Sequence, residues 1–373
     1  MLSRRALNRA TLARQMLLAR EAVPVTDTVR RLLGLQAQTA ASAYLSLWNR
    51  VFDPAGLDQA FADRTVVRAT LLRITLHAVA ADDHPMLQNA VLRILRAARL
   101  GDRRFTVSGL TAADADEFLP VLLAFTATSR SAAEIDRMIT EHFGGERRGL
   151  WWALRTCAPL LRTPTGGPWS FGREDTFLTA PELLPVERRD ASTRELVHRY
   201  LTAYGPASIA DMGQFTLLPA RILREAVRSL ADQLVELTAF DGTRLYDVLD
   251  GLLPDEETPA PPRLLGMWDN VLLAHADRTR FTTAEHRKMF ARMNGDLLPT
   301  VLVDGRVAGI WRIVPSGVEV SAFHPIGAAD WSGLAAEAAG LVEFLAERDP
   351  AVYRRHAHWW DKPLPVAETR ILP

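Results

Sequence analysis

The stretch Val66-Val67-Arg68-Ala69-Thr70-Leu71-Leu72 is followed, across a single arginine, by Ile74-Thr75-Leu76-His77-Ala78-Val79-Ala80. Both runs are short, aliphatic and rich in β-branched residues, and together they predict a pair of strands. The chain before them has a different period. Ser3 is placed to cap a helix carrying Leu7, Ala10, Thr11, Arg14, Leu17 and Leu18 at helical spacing. Thr26 is placed to cap a second helix, from Asp27 to Leu33, with Gly34 as its stop. Asp53-Pro54 opens a third, with proline at the first helical position. Helices that give way to a strand pair follow the order of a winged helix.

Outward from this unit the same grammar returns. Thr111 caps a helix to about Phe125, Ser131 caps one from Ala132 to His142, and Arg148 to Leu160 reads as helix. Arg162 to Phe171 then reads as a hairpin centred on Gly166-Gly167. A third unit runs from Ser192 through the turn Tyr204-Gly205-Pro206 to helices at Ser208–Gln214 and Pro219–Ala231. It ends in strands at Gln233–Leu237 and Thr243–Tyr246. Pro254 to Pro262 is acidic and proline-rich, a linker by composition. Beyond it, Thr300 to Ile313 is a hairpin with an Asp304-Gly305 turn, Gly317 to Phe323 is a further strand, and Asp330 to Arg348 is a closing helix. The aromatic tail around His356, His358, Trp359 and Trp360 is expected to dock. The expected fold class is therefore α+β. Tandem winged-helix units occupy 1–110, 111–188 and 189–253. A linker follows at 254–262, then a β-hairpin or β-barrel-like region with a closing helix at 263–373. The architecture repeats, whereas the sequence does not.

With 373 residues, 48% of them hydrophobic, and a mean hydropathy of −0.01, the chain suits a soluble protein with several cores. No apolar run approaches the ~20 residues of a membrane helix, and Met1 to Arg5 lacks a signal-peptide apolar region. A cytoplasmic address, no membrane partner and a monomeric state are expected. The single Cys157 excludes an intrachain disulfide and a chain-held iron–sulfur cluster. With no base beside it in sequence, its expected role is packing. Lys288 and Lys362 carry the only ε-amines, which argues against Schiff-base chemistry. Net charge is zero, but residues 1–110 hold 16 arginines against 8 acidic residues, leaving 28 basic and 36 acidic in the remainder. One end can therefore face phosphate. An arginine-rich coding bias, with 42 of the 44 basic residues arginine, accounts for the choice of arginine but not for the asymmetry.

Metal and nucleophile motifs are missing. The nine histidines form no His-Glu-x-x-His pattern, and no Gly-x-Ser-x-Gly or glycine-rich phosphate loop occurs. No metal and no cofactor are expected, and Asp82-Asp83 reads best as a helix N-cap. The segment that stands apart is Gly34-Leu35-Gln36-Ala37-Gln38-Thr39. If Gly34 ends its helix and the chain runs on extended, residues i and i+2 share a side. Gln36 and Gln38 then project together, with Leu35 and Ala37 facing the packed side. On a continuous helix they diverge by roughly 200°. The plain alternative is two glutamines on a polar edge.

Several segments together resemble the AlkZ-like family of DNA glycosylases. They are Leu2 to Gln15, Gly34 to Gln38, Arg68 to His77, Tyr204 to Ala207, Met267 to Asn270 and Val303 to Trp311, which extend in family order over nearly the whole chain. The resemblance implies that a Gln-apolar-Gln motif carries catalysis, which falls on Gln36, Ala37 and Gln38. Ala37 is smaller than the usual middle residue. Glutamine rather than aspartate at position 38 places the chain in a branch similar to crosslink-unhooking, self-resistance enzymes. The family also uses a hairpin in its DNA cleft. Asp304-Gly305-Arg306 is the candidate for it, against the reading of an ordinary core hairpin. Arg73 and Arg4 are further candidates for DNA contact.

Chemistry makes the glutamines plausible. Glycoside hydrolysis ordinarily needs a protonated carboxyl to help the leaving group depart. An N7-alkylated guanine already carries positive charge and leaves as a neutral base. Two amides, each with an acceptor oxygen and two donors and neither titratable, suffice to hold water and sugar. The expected function is monofunctional hydrolysis of the N-glycosidic bond of N7-alkylguanine in duplex DNA, with interstrand crosslinks as a further candidate substrate. The rival reading is a winged-helix DNA-binding protein or regulator without chemistry, which would prefer one sequence and bind undamaged DNA tightly.

Overall fold

The computed structural model describes residues 1–361 and 364–373, so Lys362 lies outside the described residues. Helix α1 (Arg4–Arg14) starts where the Ser3 hydroxyl accepts the Ala6 N–H at 3.0 Å. Helix α2 (Val25–Arg31) begins earlier than the sequence suggests. Pro24 stands at its N-cap, while the Thr26 hydroxyl reaches Thr65 Oγ1 at 3.1 Å. After α2 the backbone passes through positive φ at Leu33 (55°) and Gly34 (84°) into a two-residue strand, β1 (Leu35–Gln36).

Helix α3 (Ala40–Trp48) has no counterpart in the sequence reading. Nearly all its residues are buried, so it shows no amphipathic stripe. Helix α4 (Gly56–Ala62) is entered through a turn in which Asp53 Oδ1 accepts the Gly56 N–H, and Pro54 stands ahead of the helix rather than in its first turn. The deciding strands follow as β2 (Val66–Thr70) and β3 (Leu76–Ala80), joined through a 3-10 turn at Leu72–Ile74.

The next stretch contains α5 (His84–Leu100), α6 (Arg103–Thr106), α7 (Ala112–Phe125), β4 (Arg130–Ser131), α8 (Ala132–Phe143), α9 (Arg148–Cys157), β5 (Leu160–Thr163) and β6 (Thr176–Thr179). Thr111 and Ser131 cap their helices with reciprocal bonds to Asp114 and Glu134. The hairpin is wider than Gly166-Gly167 suggests, because its strands are β5 and β6 and residues 164–175 form a long loop. Cys157 is buried and its thiol is pushed up to about 11 by burial, which fits a packing role.

The two strand sets are continuous. Strand β2 pairs with β3 and also with β5, through Arg68 opposite Arg162 and Ala69 opposite Leu161. The result is one six-stranded sheet in the order β1-β3-β2-β5-β6-β4. Helices α10 (Arg189–Tyr204), α11 (Ile209–Thr216) and α12 (Ala220–Ser229) then precede the hairpin β7 (Leu234–Thr238) and β8 (Arg244–Val248).

The remainder holds β9 (Arg263–Leu265), α13 (Ala284–Phe290), β10 (Thr300–Val303), β11 (Arg306–Val314), β12 (Gly317–Ala322), α14 (Ala328–Ala346) and β13 (Glu368–Leu372). These five strands form an open sheet, β13-β12-β11-β10-β9, and not a closed barrel. Helix α14 packs on it, but the chain returns to lay β13 along its edge. The whole is a mixed fold of helices and antiparallel sheets. No helix among the described residues is long and apolar enough to cross a membrane.

Candidate active site

Glycine is obligatory just ahead of the glutamines. A Cβ at Gly34 would lie 2.8 Å from Val79 Cγ1 and 3.1 Å from the Ala78 carbonyl, at a φ that side chains disfavour. The turn drops Leu35 and Gln36 into register opposite Ala78 and His77 of β3, and the Ala37 N–H continues the ladder to the Leu76 carbonyl at 2.8 Å. The backbone is therefore extended through Gln36, and the chain bends at Gln38 and Thr39 before α3, so the extended stretch is shorter than the one expected to carry both glutamines on one side. Gln36 is buried at 5% exposure, whereas Gln38 is exposed.

The amide oxygens are both tethered. Gln36 Oε1 accepts the Gln38 N–H at 3.0 Å, and Gln38 Oε1 accepts the Leu76 N–H at 3.2 Å. Because each partner is a backbone donor, the network fixes which amide atom is oxygen. Each oxygen keeps a second lone pair, and neither NH2 group bonds to protein among the described residues. Two immobilised carboxamides with spare donor and acceptor capacity can orient a water and face a developing cation.

A polar layer supports this strand from behind. The Asn270 side-chain NH2 donates to the Gly34 carbonyl at 3.0 Å, and its oxygen accepts Arg73 Nη2 at 2.8 Å. Arg73 also lies 3.3 Å from His77 Nε2, and the other ring nitrogen of His77 lies 3.0 Å from the Thr75 carbonyl. Burial, with the Arg73 charge beside it, pulls His77 down to about 3, so its ring stays neutral. Asp269 holds Arg50 by two bonds of 2.8 Å. The Asp269-Asn270 pair thus ties the C-terminal part of the chain to the glutamine strand.

In front of Gln38 lies a cleft of about 790 Å³. Its walls come from three parts of the chain: Gln38–Ala41 with Arg68, the second helical stretch with Trp152, Arg155, Arg162 and the 164–175 loop, and the segment Asp349–His356. Seven arginines line it (68, 99, 155, 162, 173, 354 and 355) against two aspartates, a surplus of five positive charges. Both aspartates are engaged. Asp175 pairs with Arg162 at 2.7 Å, and Asp349 accepts the Trp169 indole N–H at 3.4 Å.

Arg68 joins cleft and motif. Its Nε donates to the Ala37 carbonyl at 3.0 Å and its Nη2 to the Gln38 carbonyl at 3.4 Å, while the guanidinium stacks 4.5 Å from the Phe171 ring. Burial, and secondarily the charge of Arg162, pull it down to about 10. Burial lowers Arg162 as well. Asp175, paired with Arg162, partly offsets these two crowded like charges.

The remaining candidates lie elsewhere. Asp304 (φ 47°) and Gly305 (φ 72°) form the expected turn, but Arg5 and Arg9 of α1 grip the Asp304 carboxylate and draw its proton affinity below the ordinary range. A Cβ on Gly305 would meet Leu12 at 2.5 Å, so the turn is plugged into α1. Arg306 donates to the Thr279 carbonyl at 3.0 Å. Arg73 is in the layer behind the glutamines. Arg4 is exposed and stacks 4.1 Å from Phe240. None of these five residues lines the cleft. Sequence reading passed over Arg155 and Arg162, although Trp152, Arg155 and Thr156 stand at i, i+3 and i+4 on one face of α9, a stripe legible in the sequence.

Three comparisons bear on this arrangement. The model of a family described as DNA glycosylase AlkZ-like matches residues 29–344. A curated relative from Streptomyces sahachiroi, named an interstrand DNA cross-link repair glycosylase, is 27% identical over 338 residues, covering 83% of this chain and 88% of its own. A solved structure, the DNA glycosylase AlkZ of the same organism, superposes with a TM-score of 0.79 over 94% of this chain and 99% of its own. Its 22% identity makes this a likeness of fold.

Proposed function

The chain belongs to the AlkZ-like family of DNA glycosylases, and on that premise we propose that it excises N7-alkylguanine from duplex DNA with Gln36 and Gln38 as its catalytic pair. One observation carries the reading. Gln38 lines an arginine-rich cleft whose two carboxylates are both committed to protein partners, with Gln36 buried next to it in the chain and outside the lining, so no free acid of the cleft faces Gln38 among the described residues. Such a site cannot protonate a departing base and is restricted to bases that are already cationic.

In the proposed reaction, water held by the two amides attacks C1′ while the C1′–N9 bond breaks. The bonding electrons discharge the positive charge of the guanine ring, and the proton lost by the water passes to solvent. The products are a neutral alkylguanine and an abasic sugar. The amide dipoles stabilise the oxocarbenium-like sugar in between. With the backbone held by arginines along the cleft, duplex contact is to phosphate and independent of sequence. We read the chain as a monomer built of three tandem winged-helix units, 1–110, 111–188 and 189–253, joined by 254–262 to the C-terminal sheet.

Crosslinked guanines extend the same reading. A relative is named for interstrand cross-link repair, and an exposed Gln38 at the cleft suits a base attacked without full extrusion from the helix. The deciding experiment measures release of N7-methylguanine from methylated duplex, with a crosslinked duplex alongside. The wild type is expected to release base, and Gln36→Ala/Gln38→Ala to lose nearly all of that rate. Equal slow release by both proteins would remove the catalytic assignment.

A further inference from the structure

A second basic surface lies outside the cleft. Helices α11 and α12 are joined by Leu217, Leu218 and Pro219, and the hairpin β7–β8 follows directly. Helix α12 buries Leu223, Ala226 and Val227 and turns Arg221, Arg224 and Arg228 outward. These stand at i, i+3 and i+7 and so form one stripe. Arg244 of β8 faces them across a concavity of about 500 Å³, floored by Val227, Ala231 and Leu234.

The stripe differs from an ordinary solvated helix face, on which opposite charges pair at i, i+4. Arg221 does pair with Glu225 at 2.9 Å, and Arg244 lies 3.5 Å from Glu236. Arg224 and Arg228 have no acidic partner among the described residues, and the opposite rim, where Arg244 and Glu236 offset each other, carries no net charge. At the far end of the hairpin, the exposed Arg4 stacked on Phe240 adds a further cation.

We propose that this face of α12 and the β7–β8 hairpin is a second duplex-DNA contact, gripping the sugar–phosphate backbone of DNA that flanks the lesion. The proposal rests on the reading of the chain as an enzyme of duplex DNA. A helix ~10–12 Å across matches a major groove ~12 Å wide, and Arg221 to Arg228 spans ~10 Å of helix axis. The apolar floor offers nothing to base edges, so the contact is electrostatic and independent of sequence. Such a contact holds the protein on undamaged DNA while the cleft samples for lesions.

The test is fluorescence anisotropy on a short undamaged duplex across a salt series. It compares wild type, Arg221→Ala/Arg224→Ala/Arg228→Ala, and the matching triple lysine variant. Melting curves confirm that these exposed substitutions leave the fold intact. The alanine triple is expected to lower the slope of log Kd against log salt by about 3 and to weaken binding by roughly tenfold or more, at about 0.9 of slope per phosphate lost. The lysine triple keeps the charge and is expected to keep the wild-type slope. An alanine triple with the wild-type slope and Kd overturns the proposal, as do equal losses in both triples. A wild type without any salt-dependent duplex binding overturns instead the DNA reading of the cleft, and this face with it.

Discussion

Replacing Arg68 with methionine is expected to separate activity from stability. Arg68 is 6% exposed, and burial beside Arg162 pulls its guanidinium down to about 10. That displacement corresponds to about 3 kcal/mol against keeping the charge in the fold. In return it donates at 3.0 Å to the Ala37 carbonyl and at 3.4 Å to the Gln38 carbonyl. A charged hydrogen bond of good geometry contributes about 1.5–3 kcal/mol, and the longer one less. The two effects cancel to within about 1 kcal/mol, so Arg68→Met should melt within about 4 °C of wild type. The segment proposed to be catalytic loses the clamp on two successive carbonyls, and if it carries the reaction, a misplacement near 1 Å lowers the rate about 10²-fold. Single-turnover release of N7-methylguanine at saturating enzyme reads this directly. Arg68→Lys restores the charge without the planar fork. It should recover the salt dependence of DNA binding but not the rate. A large fall in melting temperature with normal activity of the folded fraction would refute the reasoning, and so would a wild-type rate for Arg68→Met.

Other outcomes follow from the same geometry. Gly34→Ala forces a side chain to φ 84° and to 2.8 Å from Val79. It should lose about 2–4 kcal/mol of stability, seen as a lower denaturation midpoint. Burial holds His77 and His84 at about 3 and about 4, below their unfolded value of 6.5. The unfolded chain therefore takes up protons that the folded state rejects. Their contribution is intact above about pH 6.5 and lost as pH falls, by roughly 2 kcal/mol each at pH 5. Melting temperature should drop between pH 7 and pH 5. Over the pH range where the protein stays folded, the maximal rate should stay flat, because the amides do not titrate. Cys157, raised to about 11 and buried, should resist thiol reagents until the protein is denatured, as a colorimetric thiol assay would show.

Local signals located much of this molecule. The caps at Ser3, Thr111 and Ser131 and the period-two runs of β2 and β3 are short-range features, and the fold uses them as the sequence suggests. The extended backbone through Gln36 follows from Gly34 alone. What escaped is set by packing at long range. Helix α3 is buried on all sides and so displays no periodicity. Strand β13 looks like a polar tail until β12 supplies its partner. The make-up of the cleft was least legible. The basic excess of residues 1–110 suggested that one end can face phosphate, and of that segment Arg68 and Arg99 line the cleft, while five other arginines arrive from residues 155–355. Arg9 and Arg14 are spent inside, on Asp304 and Asp247. Charge along the chain does not reveal which guanidinium finds an internal carboxylate.

The ladder that pairs Arg68 with Arg162 has a mechanical consequence. Two cleft walls from distant parts of the chain are pinned to neighbouring strands of one continuous sheet, so they cannot swing apart without tearing that ladder. The gap between them therefore behaves like the fixed jaws of a caliper. On the proposed reading, a duplex that does not match this gap must itself yield, and one already softened or distorted by damage yields most easily.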